Sequence, residues 1–160
     1  MSDELVLREI DESDLTMFVE LESNPEARWM AAFGEKGPID REKTLQHWRQ
    51  LLQNHSAVKR TIVLNGRVVG YVLQFELLGN PSVAYWIANE FWGKGVATRA
   101  LREFLIQVEM RPIYARVAKD NMASRRVLEK CGFTSYGEEH NYANARQTEI
   151  DELLFILPRF

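Results

Sequence analysis

The stretch Thr61 to Leu78, TIVLNGRVVGYVLQFELL, constrains the fold more tightly than any other part of the chain. Two runs rich in β-branched residues flank Asn65-Gly66, the pair preferred by a two-residue type I′ turn. The stretch therefore predicts an antiparallel hairpin. SVAYWIA (Ser82 to Ala88) follows the GNPS turn and reads as a third strand, antiparallel to the second. LVLREI (Leu5 to Ile10) alternates apolar and polar residues, as a half-buried strand does. IYARVA (Ile113 to Ala118) is strand-like, and two more strands are expected near Thr134 to Glu138 and Ile150 to Leu157.

Helical spacing takes over between these strands. ESDLTMFVELES carries Leu15, Phe18, Val19 and Glu22 at that spacing, with Ser13 or Asp14 as its N-cap. Asp40 caps a second helix whose apolar face is Leu45, Trp48, Leu51 and Leu52. Val96, Ala97, Ala100, Leu101, Phe104, Leu105 and Val108 form one stripe of a third. NMASRRVLEKCGF is a fourth, stopped by Gly132. NPEARWMAAFGEKGP, Asn24 to Pro38, reads as an irregular connection. The order β-α-α-β-β-β-α-β-α-β-β predicts an α/β fold: a mixed, mostly antiparallel sheet of about seven strands with four helices.

A chain of 160 residues is expected to form a single domain, 1–160, burying about 70% of the surface its unfolded form exposes. The formal charge of −3 argues against a nucleic-acid partner, which usually meets a basic patch. Cys131 is the lone cysteine, so an internal disulfide is impossible and a reducing compartment fits. MSDELVLREI lacks the basic and apolar regions of a signal peptide, and no apolar run approaches the ~20 residues of a membrane span. The expected location is cytoplasmic, with no membrane partner.

Between strand-like Trp86–Ala88 and the helix from Val96 lie two glycines around a lysine, Gly93-Lys94-Gly95. A helix N-terminus leaves its first N–H groups unpaired and carries about half a positive charge. Glycine there lets an anion reach those groups with no side chain in the way. Trp92 to Thr98 thus looks like a phosphate cradle, although a tight turn without a ligand would use the same residues. The sequence is neither a Walker A loop nor a Rossmann fingerprint, since GKGVAT has Thr98 at the third glycine position.

A second strand–helix unit follows, ARVAKDNMASRRVLEKCGF, with Asn121 at the start of its helix and Gly132-Phe133 after it. The two segments together resemble the GNAT superfamily of acetyl-CoA-dependent N-acetyltransferases. The branch they most resemble contains the ribosomal-protein N-terminal acetyltransferases, whose members often read (Y/F)WGKGxAT and NxxSxxVLEKxGF. The matching residues are Phe91 to Thr98 and Asn121 to Phe133.

The resemblance implies a set of roles. Trp92, Gly93, Lys94, Gly95, Val96, Ala97 and Thr98 would hold the pyrophosphate of acetyl-CoA through backbone N–H groups. Trp92 departs from the Gln or Arg of many members. The strand end at Trp86, Ile87 and Ala88 would pair with the pantetheine amides, and one N–H there would polarise the thioester carbonyl. Asn121 would bond the pantetheine arm, or cap its own helix. Leu128 stands where many members carry a tyrosine acid, so the branch's serine, Ser124, becomes the candidate catalytic acid, with Tyr85, Tyr136 and Tyr142 behind it.

The implied reaction, direct acetyl transfer to an amine, needs a neutral nitrogen, an oxyanion donor and an acid for the thiolate. Deprotonating an α-amine at pH 7 costs about 1 kcal/mol, and a lysine about 4.6. A lysine-like acceptor would therefore demand a strong base, for which Glu76, Glu90 and Glu138 are undistinguished candidates. Trp29, Met30 and Phe33 are expected to wall the acceptor site, since an irregular loop seldom needs such residues for packing. Lys94 and Arg99 would meet outer phosphates or merely solvent. His47, His55 and His140 lack metal-ligand spacing, so no metal is expected. Cys131 and Trp48 read as packing residues. The acceptor would be a protein N-terminus or a small amine, the assembly a monomer or homodimer. A module that senses acetyl-CoA without turnover is the alternative.

Overall fold

The structure, a computed structural model, describes residues 3–34 and 38–159. Its seven strands are β1 (Leu5–Arg8), β2 (Val58–Leu64), β3 (Arg67–Leu77), β4 (Asn80–Ile87), β5 (Ile113–Ala118), β6 (Thr134–Ala143) and β7 (Thr148–Leu157). They lie in one sheet in the order β1-β2-β3-β4-β5-β7-β6, and every pairing is antiparallel except that of β4 with β5. The helices are α1 (Leu15–Ser23), α2 (Pro25–Ala31), α3 (Arg41–Gln53), α4 (Val96–Gln107) and α5 (Met122–Lys130).

The hairpin forms where the sequence places it. Asn65 and Gly66 take φ of 51° and 80°, the left-handed pair that a type I′ turn requires. The register then slips by one residue at Ile62/Val63, so Val69 is extra and β3 bends. Gly70 follows this bulge. A Cβ there would run into the Trp86 carbonyl oxygen, so glycine alone lets β3 lie this close to the end of β4.

One expectation needs correction: there are five helices, not four. The segment after Asn24 is no irregular connection, because Asn24 accepts a hydrogen bond from the Ala27 N–H at 3.0 Å and Pro25 occupies the first helical position. Both are helix-start devices, and they carry α2 as far as Ala31. Ala32, with φ of 70°, ends it. Three residues of the Asn24–Pro38 stretch, numbers 35–37, lie outside the described residues.

The two faces of the sheet carry different covers. Beneath α4 and α5 lies the larger core, which includes Ile62, Val72, Val83, Leu101, Phe104, Phe133 and Phe155. On the opposite face α1 and α3 pack Leu15, Phe18, Leu21 and Trp48 against Tyr71 and Ala88. Phe18, Trp48 and Tyr71 meet with ring centroids 4.6–5.1 Å apart, tilted or edge-on, and each such pair contributes about 0.5–1.5 kcal/mol beyond burial. Buried Asp14 fixes the start of α1 to the sheet: Arg8 donates to its carboxylate at 2.7 and 2.9 Å, and the Thr61 hydroxyl at 2.7 Å. No helix among the described residues is long and apolar enough to cross a membrane.

Candidate active site

β4 and β5 share a single bridge, Ser82 with Tyr114. Beyond it the parallel strands diverge. The Ala88 N–H donates to the Val69 carbonyl at 2.8 Å, and Trp86 turns its carbonyl towards β3. Alternation along a strand therefore aims the backbone groups of Tyr85 and Ile87 into the cleft. Of the three strand-end residues singled out in the sequence, Ile87 presents its backbone to this opening, whereas Trp86 and Ala88 serve β3. The Ile87 carbonyl already accepts the Trp92 indole N–H at 2.8 Å, which leaves its N–H for the cleft.

That indole bond explains a tryptophan at position 92. It pins the glycine loop to the end of β4. Beyond it Gly93 and Gly95 adopt φ of 73° and 78°, and Gly95 is the N-cap of α4 with no side-chain hydrogen bond to the helix. A Cβ at either glycine would meet nothing within 4 Å, so the space before the helix is open. The first backbone bond runs from the Arg99 N–H to the Gly95 carbonyl, and the Val96, Ala97 and Thr98 N–H groups precede it. They form a concave set of donors at the positive end of a 12-residue helix. Lys94 leans over the Phe91 ring, 5.8 Å from its centroid, and Arg99 donates to the Asp3 carbonyl at 2.7 Å.

On the α5 side of the cleft, the Tyr85 hydroxyl donates to Ser124 Oγ at 3.1 Å. Burial pushes the Tyr85 phenol up to about 12, a rise that the Ser124 bond opposes and nearby Cys131 reinforces. The phenol thus stays protonated and keeps donating to Ser124, whose own proton is free to point elsewhere. Asn121 caps α5, its Oδ1 accepting the Ser124 N–H at 3.2 Å, while its Nδ2 reaches the Met30 carbonyl at 3.5 Å. Leu128 is buried in the main core. Cys131 packs with its thiol towards the Thr98 carbonyl at 3.6 Å, and burial raises it, which suits a packing residue.

The three carboxylates considered as bases are all exposed. Glu90 pairs with Arg67 at 2.7 Å and Glu138 with Lys119 at 3.0 Å, both exposed, and Glu76 is exposed towards the turn end of β3. Tyr136 and Tyr142 are exposed on β6, Tyr136 edge-on to Tyr114.

Trp29 and Phe33 lie towards β6 and β7, whereas Met30 meets the α5 side through its carbonyl, 3.5 Å from Asn121 Nδ2. Trp29 is 52% exposed and lays one face on the Arg146 guanidinium, 5.2 Å from the ring centroid. Arg146 also donates to the Trp29 carbonyl at 2.8 Å and clamps Asp120 with two bonds. Phe33 and Ile150 both pack on the buried cluster of Ala32, Ala118 and Ala143. A cavity of about 350 Å³ lies on another side of α2, where Arg28 and Ala31 face it one helical turn apart. Trp48, Leu51, Tyr71, Leu73 and Trp86 form its apolar wall, and Glu22 lines it too. Glu22 did not stand out in the sequence, because its partners, Trp48 and Tyr71, are 26 and 49 residues away.

The chain aligns over 119 residues, at 26% identity, with YdaF of Bacillus subtilis (strain 168), which carries the provisional name of a ribosomal N-acetyltransferase. That alignment takes in 69% of this chain and 65% of YdaF, so the chain spans less than two thirds of that relative's length. Mycobacterium smegmatis RimJ, solved with CoA-disulfide, superposes with a TM-score of 0.74 at 22% identity, over 95% of this chain and 80% of RimJ. Salmonella typhimurium yncA, solved with its cofactor acetyl-CoA, gives 0.76 at 19% identity, over 96% and 93% of the two chains. These superpositions establish the fold. The acetyltransferase (GNAT) domain model matches residues 4–134, and with that match the chain belongs to the GNAT acetyltransferase family.

Proposed function

We propose that the chain transfers an acetyl group from acetyl-CoA to a primary amine by direct attack of the amine on the thioester. The observation that carries this reading is the uncapped start of α4, opening beside the cleft where β4 leaves β5. Acetyl-CoA supplies an activated acyl group. Trp92 to Thr98 receive its pyrophosphate on backbone N–H groups, a task for which bare glycine at 93 and 95 is suited. The strand end Trp86–Ala88 lines the path of the pantetheine arm, and the cleft-facing Ile87 N–H donates to the carbonyl oxygen as it becomes an oxyanion. Asn121 holds α5 at the edge of that path. Ser124 is the catalytic acid that protonates the departing thiolate, and Tyr85 refills the hydrogen bond on its oxygen. Trp29, Met30 and Phe33 border the acceptor's approach from α2.

Protein N-termini and small amines both satisfy this chemistry. YdaF's name favours the first for this chain. A cytoplasmic location suits the lone thiol. The decisive experiment is acetyl-CoA turnover against a panel of amines and short peptides. Thiol release that depends on the amine is the expected outcome. Tight donor binding with no acceptor in the panel would favour the sensor reading instead.

A further inference from the structure

The cavity over Tyr71 has no part in the roles assigned so far. We propose that Glu22 receives the acceptor's ammonium group there and takes its proton, so that the acceptor is a primary amine carried on one apolar arm. This rests on the acetyltransferase reading above.

Glu22 sits in the last turn of α1, half-buried. Trp48 Nε1 donates to Oε2 at 2.7 Å, and the Tyr71 hydroxyl donates to Oε1 at 3.2 Å. A carboxylate can accept about four hydrogen bonds, so these two orient the group and leave capacity for an ammonium. Tyr71 stands directly opposite Trp86 in the β3–β4 ladder, which puts the carboxylate one strand away from the cleft. The wall of Trp48, Leu51, Tyr71, Leu73 and Trp86 suits an apolar arm, and about 350 Å³ is at the small end for a ligand site. Glu22 is the one carboxylate among the described lining residues. No second carboxylate for a polyamine's further ammonium groups lines the cavity among the described residues.

Burial raises the Glu22 carboxyl above its ordinary value, against the lowering effect of Trp48, Tyr71 and nearby His47. It is therefore a better proton acceptor than a surface glutamate. The charged and titratable groups around it are Arg28 from α2, Lys43 and His47 from α3, and Tyr71 from β3. The ammonium passes one proton to Glu22, which returns it to solvent. The freed nitrogen pair forms the C–N bond and the C–S bond breaks. The new amide nitrogen then loses a second proton, balancing the one that Ser124 gives to the thiolate.

The test uses the full chain saturated with CoA. Calorimetry would measure binding of 2-phenylethylamine, an alanine-led tetrapeptide and spermidine, alongside the pH profile of kcat/KM. Glu22→Gln should weaken the first two ligands at least tenfold, leave the CoA Kd within twofold and abolish the acidic limb of the profile. Tyr71→Phe, which keeps the carboxylate but removes one stabilising bond, should move that limb to higher pH. Whichever of monoamine and peptide binds more tightly identifies the source of the acceptor. Binding within threefold of wild type in Glu22→Gln would overturn the proposal. So would spermidine binding more tightly than both, or neither amine binding to the wild type. A wild type that binds an amine yet never acetylates it would refute the proposed activity and leave the Glu22 site standing.

Discussion

The starts of α4 and α5 are built to the same plan and finished differently. Each helix follows a strand that borders the cleft, yet α5 is closed by its own Asn121 and α4 by nothing. Side chains also cap α2 and α3, through Asn24 and Asp40. Leaving an N-cap as glycine gives up only a few tenths of a kcal/mol, so this omission is cheap. It costs the fold little and keeps three N–H groups available. A helix that supplies its own acceptor has less to offer an anion, so under the proposed function the two ends would do different work: α4 would hold charge and α5 would hold Ser124 in place.

The largest effect should come from closing the open end. Gly95→Val puts a β-branched side chain at φ of 78°, in space that is empty in the protein. Backbone strain of about 1–2 kcal/mol should lower the melting temperature by several degrees. Donor affinity should fall by more than about a hundredfold, because the side chain projects where phosphate meets the helix. Unchanged calorimetric affinity in a folded variant would break the contrast between the helices.

Ser124→Ala tests the other end. General acid catalysis is worth about a hundredfold or more, so kcat should drop by that order while the donor Kd holds. Tyr85→Phe should cost less, since it acts only through Ser124. If the tyrosine variant is the slower of the two, the phenol itself is the acid.

Asn121→Ala sharpens the comparison at smaller scale. Losing one cap should destabilise by about 1 kcal/mol, a few degrees of melting temperature, with donor affinity changed less than about fivefold. A far larger loss of affinity would mean that Asn121 binds the donor as well as capping. Smallest of all should be Trp29→Ala. Half-exposed, and stacked on Arg146 outside the acceptor cavity, Trp29 makes a contact of about 0.5–1 kcal/mol within the protein, so its removal should act on acceptor KM only indirectly, by about two- to fivefold at most. An equal rise in both substrates' KM would identify Trp29 as a prop for the β6–β7 turn.

What could be read from the sequence was whatever is encoded locally. The Asn65-Gly66 hairpin, the Asp40 cap and the stripe of α4 each depend on residues within a turn or two of one another. The glycine loop was legible for the same reason, and the family resemblance implies a ligand for it. The helix α2 is announced only by Asn24-Pro25, and the bulky Trp29 and Met30 with the glycines after them give the same stretch the composition of a loop. Glu22 and the Tyr85–Ser124 pair could not be read, since partners 26 to 49 residues away give each its meaning. Bulk alone points Trp29 towards an acceptor, and its stacking on Arg146 is a competing use that no local pattern encodes.

Because β4 and β5 touch at one bridge, the sheet of this protein is short of backbone partners along the edge of β4 beyond Ser82. A donor arm lying along that edge would provide them from outside the chain. Its binding then counts towards folding: at a concentration a hundred times its Kd, a ligand adds about 2.7 kcal/mol to the native state, a substantial part of a typical domain's stability. Resistance to heat and proteolysis would rise and fall with the donor supply, so the melting temperature of this GNAT-family protein would gauge the thioester pool around it.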